Sequence, residues 1–283
     1  MTAKYSMTDV LTLMSCLRHP QKGCNWDLKQ TLQSLTSHTL EEVYEVVDAV
    51  EQGSADQLCD ELGDLLFQIV FYAQISSEQN SFDFEDVCHA IVTKLLRRHP
   101  HIFPDGTLQS FGSSERDGIS AEQVAANWEQ IKIRERADKA ASTDASHGLS
   151  VLDDVPSALP AMNRAGKLQK RAASVGFDWQ ELTPVLEKLE EEIAELRAEI
   201  AAGNQQRIAE DFGDVLFSCV NLSRHLAVEP EASLRAANTR FETRFRELEK
   251  RAVAAGQRAA DMSAEQLNQL WDEVKSVEGN PVG

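Results

Sequence analysis

Apolar residues recur every three or four positions along most of this chain, and no segment alternates strictly between apolar and polar residues. One clear run comprises Leu186, Leu189, Ile193, Leu196 and Ile200. This spacing places apolar side chains on one face of an α-helix, and the glycine that follows at position 203 is a common helix end. Thr183 and Pro184 predict the start of this helix, because threonine can cap a helix and proline fits its first position.

The same spacing predicts helices throughout the chain. The predicted helices span residues 7–17, 35–53, 56–76, 84–98, 121–136, 159–175, 183–203, 206–227, 231–255 and 264–277. The segment 56–76 is the more apolar member of its pair, so we expect it to lie at the centre of its bundle. We therefore predict an all-α protein built from two similar helical bundles.

The chain contains two copies of one sequence pattern. Residues 41–45 (EEVYE) and 61–67 (ELGDLLF) recur as residues 191–195 (EEIAE) and 211–217 (DFGDVLF). Each copy has a glycine at the same offset between its two segments, and each closes with a Trp-x-x-x-Lys pattern. We predict a duplicated helical module, with copies at 1–137 and 151–283 joined by the small, polar linker 138–150.

The chain is strongly acidic. Its 28 Lys and Arg residues against 46 Asp and Glu residues give a formal net charge of −18. Proteins that bind nucleic-acid polymers or anionic membranes through side-chain charge need a basic face, so we expect neither partner. No segment resembles an export signal or an apolar membrane span. The five cysteines are odd in number and lack Cys-x-x-Cys spacing, so we expect reduced thiols in a cytoplasmic protein.

Paired carboxylates are the strongest chemical signal in each copy. Glu42 and Glu45 lie three residues apart and therefore share a helix face, and Glu61 and Asp64 do so on the next helix. A short turn at Gly53 would bring the two pairs together, and crowded carboxylates favour either a solvated surface or a bound cation. Oxygen ligands favour Mg²⁺, with Mn²⁺ as the alternative. A di-iron site is disfavoured because no glutamate has a histidine three residues later.

Basic residues near the acidic pairs suit a phosphate chain. Arginine binds phosphate through two parallel hydrogen bonds, and lysine binds it as a point charge. The candidates are Lys94, Arg98 and Lys132 in the first copy and Arg240, Arg244 and Lys275 in the second. Solvated surface charge is the alternative for these residues. Trp271 would be able to stack on a nucleotide base, although a tryptophan at helical spacing also suits a core.

With these motifs, the chain resembles the MazG family of nucleoside triphosphate pyrophosphohydrolases in its tandem-domain bacterial form. The resemblance also includes residues 97–101 (RRHPH) and 176–179 (GFDW). It implies an all-α NTP pyrophosphatase-like fold, usually a homodimer, and Mg²⁺-dependent hydrolysis of a nucleoside triphosphate to a monophosphate and pyrophosphate. The tandem arrangement favours a broad specificity suited to cleaning the nucleotide pool.

The resemblance also assigns site residues. The implied metal ligands are Glu42, Glu45, Glu61 and Asp64 in the first copy and Glu192, Glu195, Asp211 and Asp214 in the second. Asp211 is one methylene shorter than the glutamate of the family pattern, which alters the geometry of coordination. The family pattern also places a phosphate-binding lysine at Lys188, where the first copy has His38.

The second copy keeps more basic residues for phosphate, whereas the first keeps the stricter acidic motif, and the resemblance implies that the second copy is the catalytic one. Either Glu191 or Glu192 would position or deprotonate the attacking water, and Lys275 would contact the reacting phosphates. These three are the predicted catalytic residues. The alternatives are a narrower dUTP, dCTP or phosphoribosyl-ATP pyrophosphohydrolase and a non-catalytic nucleotide-binding helical dimer.

Overall fold

The computed structural model describes residues 4–112, 120–121, 123–124, 127–128, 130–131, 133–135 and 150–278. Within these ranges the regular structure is entirely helical, which confirms the all-α prediction. The chain divides into two compact units, Met1–Ser142 and Thr143–Gly283. Residues 138–149 of the predicted linker lie outside the described residues. No helix in the described part of the chain is both long and apolar enough to cross a membrane.

The first unit is organised around a helical hairpin. Its helices are α1 (Met7–Leu17), α2 (Leu35–Gln52), α3 (Ala55–Glu78) and α4 (Phe84–Arg98). Helices α2 and α3 pack along each other, and both α1 and α4 pack on α3. The bounds of α1 and α4 are those predicted from the sequence. The described residues between positions 121 and 135 are helical as well.

The core of the first unit lies at one end of the hairpin. Its buried members come from α1, the start of α2 and the second half of α3: Met14, Leu35, Val70, Phe71 and Ile75. The prediction that the 56–76 helix is central therefore holds only for its second half. In the first half, Leu62 is 49% exposed. This leaves the end of the hairpin that carries the acidic residues open to solvent.

The second unit is organised around a hairpin of the same kind. Its helices are α5 (Ala161–Ala173), α6 (Leu182–Ala202), α7 (Gln205–His225), α8 (Pro230–Ala254) and α9 (Ala264–Glu278). Helices α6 and α7 pack along each other, α5 packs on α7 and α8, and α9 packs on α8. The buried apolar residues include Val185 on α6, Val220 on α7 and Leu248 on α8.

The predicted threonine cap at the start of α6 is wrong. The helix begins at Leu182 after Glu181, and no side chain caps it through a hydrogen bond. Pro184 is instead the third helical residue. Proline is tolerated there because the first N–H groups of a helix have no partner within the helix.

Both hairpins turn in the same way. Gly53 ends α2 with φ +73° and Gly203 ends α6 with φ +70°, a left-handed conformation that glycine adopts without strain. The next residue then caps the following helix. The Ser54 hydroxyl accepts a hydrogen bond from the backbone N–H of Gln57 at 3.3 Å, and the Asn204 side-chain oxygen accepts one at its own helix start. These two-residue connections make each hairpin antiparallel.

An ion pair ties the loop before α6 to the end of α7. The Arg224 guanidinium donates from Nη1 to Asp178 Oδ2 at 2.8 Å, and Arg224 Nη2 also bonds Asp178 Oδ1. These bonds, together with the positive charge of Arg224, hold the pKa of the Asp178 carboxyl below its usual range. A lowered folded-state pKa stabilises the fold above the unfolded pKa of about 3.9, and this stabilisation is lost as the pH falls through the folded value.

We therefore expect Asp178→Asn to lower the free energy of unfolding by about 2 kcal/mol at pH 7, because a charge-assisted hydrogen-bonded pair is lost. The difference between wild type and variant should shrink well below pH 4, where the wild-type carboxyl is protonated. Urea titrations of the full chain at both pH values measure this. Glu249→Gln, at an exposed glutamate, is the control for charge alone. An equal difference at both pH values would contradict the assignment.

Candidate active site

Three carboxylates converge on the open end of the first hairpin. Glu42 and Glu45 lie on one face of α2, and Glu61 lies on the facing part of α3. One oxygen from each lies within 4.8 Å of the others, and no other acidic, histidine or cysteine group among the described residues meets this criterion. The i, i+3 spacing and the glycine turn together produce this convergence. Asp64 lies outside the group of three and is exposed.

The electrostatics of this cluster show uncompensated negative charge. Partial burial raises the pKa of Glu42, and repulsion from Asp64 and Glu45 raises it further. The pKa of Glu61 is also raised, by loss of solvation and by repulsion from Glu45 and Asp64. Carboxylates in this situation are stabilised by a cation placed between them. The donor set, made only of oxygens, fits a hard divalent metal ion.

Gln68 is a site residue that the sequence analysis missed. It lies one turn after Asp64 on α3, is 7% exposed, and donates from Nε2 to Glu42 Oε1 at 3.4 Å. Its other amide atom, Oε1, is buried without a hydrogen-bond partner among the described residues. Buried polar atoms are normally paired, so this oxygen is suited to a cation or to an ordered water. The sequence did offer one signal: Gln68 lies seven residues after Glu61, a spacing of two helical turns that puts both side chains on the same face of α3.

In the second hairpin, a lysine on the same helix compensates part of the negative charge of the glutamates. The Lys188 ammonium lies 3.0 Å from Glu191 Oε1 and 2.9 Å from Glu192 Oε1. The hydrogen bonds that the Lys188 ammonium donates to Glu192 and Glu191 raise the pKa of Lys188. Glu192 is 8% exposed, so its charge needs such a partner.

The other second-hairpin candidates are less enclosed. Glu195 and Asp214 are exposed, and Asp211 is half-buried. Within the described part of the chain, these residues and Glu192 form no group of three with oxygens within 4.8 Å. The second hairpin therefore differs from the first in two respects: it holds a basic partner, and its carboxylates are more spread.

Among the basic candidates of the first unit, Arg98 is engaged in an ion pair that its neighbour Arg97 shares. Arg98 Nη2 lies 2.6 Å from Glu135 Oε2, and Arg97 Nη2 lies 2.6 Å from Glu135 Oε1. Hydrogen bonds from Arg98 and Arg97 hold the pKa of Glu135 below its usual range. Lys94 is exposed on α4, and Lys132 lies outside the described residues.

The basic candidates of the second unit lie on its last two helices. Arg240 is exposed and Arg244 is half-buried one turn later on α8. On α9, Lys275 Nζ is 4.0 Å from Asp272 Oδ1, and both side chains are largely solvated. An ion pair so long and so exposed is weak, so Lys275 remains accessible to a ligand.

Trp271 has a packing role in this structure. Its ring lies 5.3 Å from that of Phe241, and Phe241 stacks on Phe245 at 5.9 Å. This aromatic group joins α8 to α9. Phe241 is 58% exposed, so one side of the group faces solvent. Stacking of a base on Trp271 stays a prediction.

Together these features define an all-α protein with two acidic helical hairpins, the first of which brings three carboxylates close enough to share a metal ion. The model of the MazG nucleotide pyrophosphohydrolase domain matches residues 30–103 and 180–247, which contain the two acidic hairpins. The chain belongs to the MazG family, in its tandem form, with two such domains.

Relatives of known name cover nearly the whole chain. A nucleoside triphosphate pyrophosphohydrolase of Escherichia coli is 48% identical over 271 residues, which are 95% of this chain and 97% of that protein. The nucleoside triphosphate pyrophosphohydrolase/pyrophosphatase MazG of Thermotoga maritima is 38% identical, over 94% of each chain. An uncharacterised protein of Bacillus subtilis, YabN, is 41% identical over 93% of this chain but only 50% of its own length.

Proposed function

We infer that this chain hydrolyses nucleoside triphosphates to nucleoside monophosphates and pyrophosphate, by cutting the bond between the α- and β-phosphates. The observation that carries this conclusion is the presence of an acidic helical hairpin inside each of the two regions that match the MazG nucleotide pyrophosphohydrolase domain. The chain is a hydrolase. Broad specificity across bases, as suits a nucleotide-pool cleaning enzyme, is part of the proposal.

We propose Mg²⁺ as the metal, with Mn²⁺ as a substitute. The residues that would hold it in the second unit are Glu192, Glu195, Asp211 and Asp214. Those in the first unit are Glu42, Glu45, Glu61 and Asp64. A bound Mg²⁺ would neutralise charge on the phosphate oxygens and lower the pKa of a coordinated water. The all-oxygen donor set and the unpaired oxygen of Gln68 support this choice.

We propose that the second unit carries out the reaction. Glu191 accepts a proton from the attacking water, whose oxygen then bonds the α-phosphorus. The bond from that phosphorus to the bridging oxygen breaks, and pyrophosphate leaves with the bond's electrons. Lys188, Arg240, Arg244 and Lys275 bind the phosphate oxygens. Two observations support this choice: Lys188 already contacts Glu191, and Arg98 of the first unit is bonded to Glu135.

We also propose a homodimer. The hairpin of the first unit exposes large apolar side chains that a monomer would leave in water: Leu40, Val43, Tyr44, Leu62 and Ile69. The spacing puts the three on α2 on one side of that helix and the two on α3 on one side of theirs, and exposed apolar side chains of this number are typical of a surface covered by a second copy.

Product analysis of the full chain tests the reaction. With Mg²⁺ and a panel of ordinary and oxidised nucleoside triphosphates, we expect monophosphate and pyrophosphate in equal amounts. Diphosphate with inorganic phosphate would show that a different bond is cut. Hydrolysis at background level with every nucleotide would instead favour a non-catalytic nucleotide-binding protein. Cleavage of a single nucleotide would restrict the proposal to a narrow specificity.

A further inference from the structure

The two hairpins balance the charge of their carboxylates in different ways, and this difference has a consequence for metal binding. We propose that the first unit binds a divalent cation by itself, whereas the second unit binds one only together with the phosphates of a nucleotide. This proposal rests on the proposed function, because it assigns separate ligands to the two acidic sites of the same enzyme.

In the described part of the first hairpin, no lysine or arginine holds the place that Lys188 has in the second. Three carboxylates converge there, and the ion pair formed near them in the described part of the chain uses Glu41 instead. The position that corresponds to Lys188 is His38, which lies 3.9 Å from Glu41 rather than from Glu42, and whose ring packs at 5.8 Å from that of Trp26. The nine-tenths-buried amide of Gln68 contacts Glu42 and leaves one oxygen unpaired. A divalent ion would satisfy both the carboxylates and this oxygen.

In the described part of the first unit, the candidate arginine for a phosphate chain is held in another ion pair. Arg98, its candidate phosphate ligand, is already bonded in two places to Glu135, and Arg97 shares the same carboxylate. A nucleotide would have to displace Glu135 in order to reach Arg98. Because the carboxylate already meets the hydrogen-bonding geometry of the guanidinium, the exchange yields little net attraction.

The second hairpin presents the opposite arrangement. The Lys188 ammonium lies 2.9 Å from Glu192, so it competes with a lone divalent ion for this carboxylate, and its positive charge weakens the attraction of the site for that ion. A nucleotide removes this competition, because its phosphate oxygens can pair with Lys188 and thereby free Glu192 to bind the metal ion. The ammonium thus moves from one anion to another and remains paired throughout. Each of the two ligands, metal ion and nucleotide, is therefore expected to raise the affinity of the second site for the other.

Mn²⁺ is a suitable probe, since bound and free Mn²⁺ can be counted directly by electron paramagnetic resonance. Without nucleotide, we expect the wild-type full chain to bind one Mn²⁺ per chain tightly, and Glu61→Gln to remove that site. With a triphosphate analogue whose α–β bridge is a methylene, we expect a second Mn²⁺ per chain, and Glu195→Gln to remove only this one. The count is corrected for Mn²⁺ held by the analogue in solution.

The decisive variant is Lys188→Met. It should strengthen nucleotide-free Mn²⁺ binding in the second unit by about tenfold or more, because a repelling charge near the site is gone. Lys188→Arg retains the charge and should behave as wild type. Lys250→Met, at an exposed lysine of α8, is the control for a lost charge elsewhere.

Two sites filled equally in the nucleotide-free wild type, or no gain in Lys188→Met, would overturn this inference and leave the proposed function standing. Absence of Mn²⁺ from both sites even with the analogue would overturn the proposed metal centre itself. Circular dichroism of every variant verifies that the helices are retained.

Discussion

Replacement of Glu192 by glutamine is expected to lower kcat/KM for nucleoside triphosphates by about a thousandfold, which corresponds to about 4 kcal/mol of transition-state stabilisation. Glu192 is 8% exposed and lies 2.9 Å from the Lys188 ammonium, so its carboxylate is held in place on the second hairpin. Glutamine has the same shape but no charge to offer a metal ion. Steady-state kinetics with saturating Mg²⁺, followed through pyrophosphate release, measure the loss.

The matched control is Glu42→Gln, the same substitution at the corresponding position of the first hairpin. If the second unit is catalytic, this variant should keep turnover within about threefold of wild type, because it disturbs the other site. A thousandfold loss in Glu42→Gln with full activity in Glu192→Gln would place catalysis in the first unit instead. Equal losses in both would indicate that each unit contributes to turnover.

Replacement of Phe71 by alanine is expected to lower the free energy of unfolding of the first unit by about 3–5 kcal/mol, the usual cost of removing a buried phenyl group. Phe71 is 0% exposed at the centre of the first core. Its ring lies 5.7 Å from that of Phe67, and the Arg18 guanidinium lies 5.4 Å from its centre. The substitution removes both contacts and leaves a cavity. Calorimetry of the full chain should show an earlier transition for this unit.

Phe82→Ala provides the comparison, since Phe82 belongs to the same unit but is 42% exposed. We expect this variant to lose less than about 1 kcal/mol, because only part of its ring is removed from water in the folded state. Similar losses in the two variants would mean that the core around Phe71 does not dominate the stability of this unit.

The positions of the helices could be predicted from the sequence because they depend on residues that are close together along the chain. The bounds of α4 follow from apolar spacing and from Asp83, whose side chain caps the first turn by accepting from the backbone N–H of Asp86 at 3.0 Å. The start of α6 was misplaced because proline is compatible with any position in the first turn, so the pattern cannot identify a single starting residue.

Only part of the candidate site could be predicted from the sequence. The convergence of Glu42, Glu45 and Glu61 follows from spacing within helices and from the glycine turn between them. The bonds of Arg98 to Glu135 join residues 37 positions apart and depend on packing that no local pattern encodes. Gln68 went unnoticed because an uncharged amide within an apolar stretch gives no chemical signal until its burial is known.

Because the turns at Gly53 and Gly203 are only two residues long, the number of residues between the two acidic pairs determines whether their side chains face each other. Sixteen positions separate the last glutamate of the first acidic pair from the first acid of the second pair in both copies. One residue inserted between Ser54 and Glu61 would rotate Glu61 by about 100° around its helix axis, away from its partners. The bundle would still be able to bury its apolar residues by repacking, but the acidic cluster would be dispersed. We therefore expect the acidic cluster to tolerate insertions and deletions in these segments less well than the fold does.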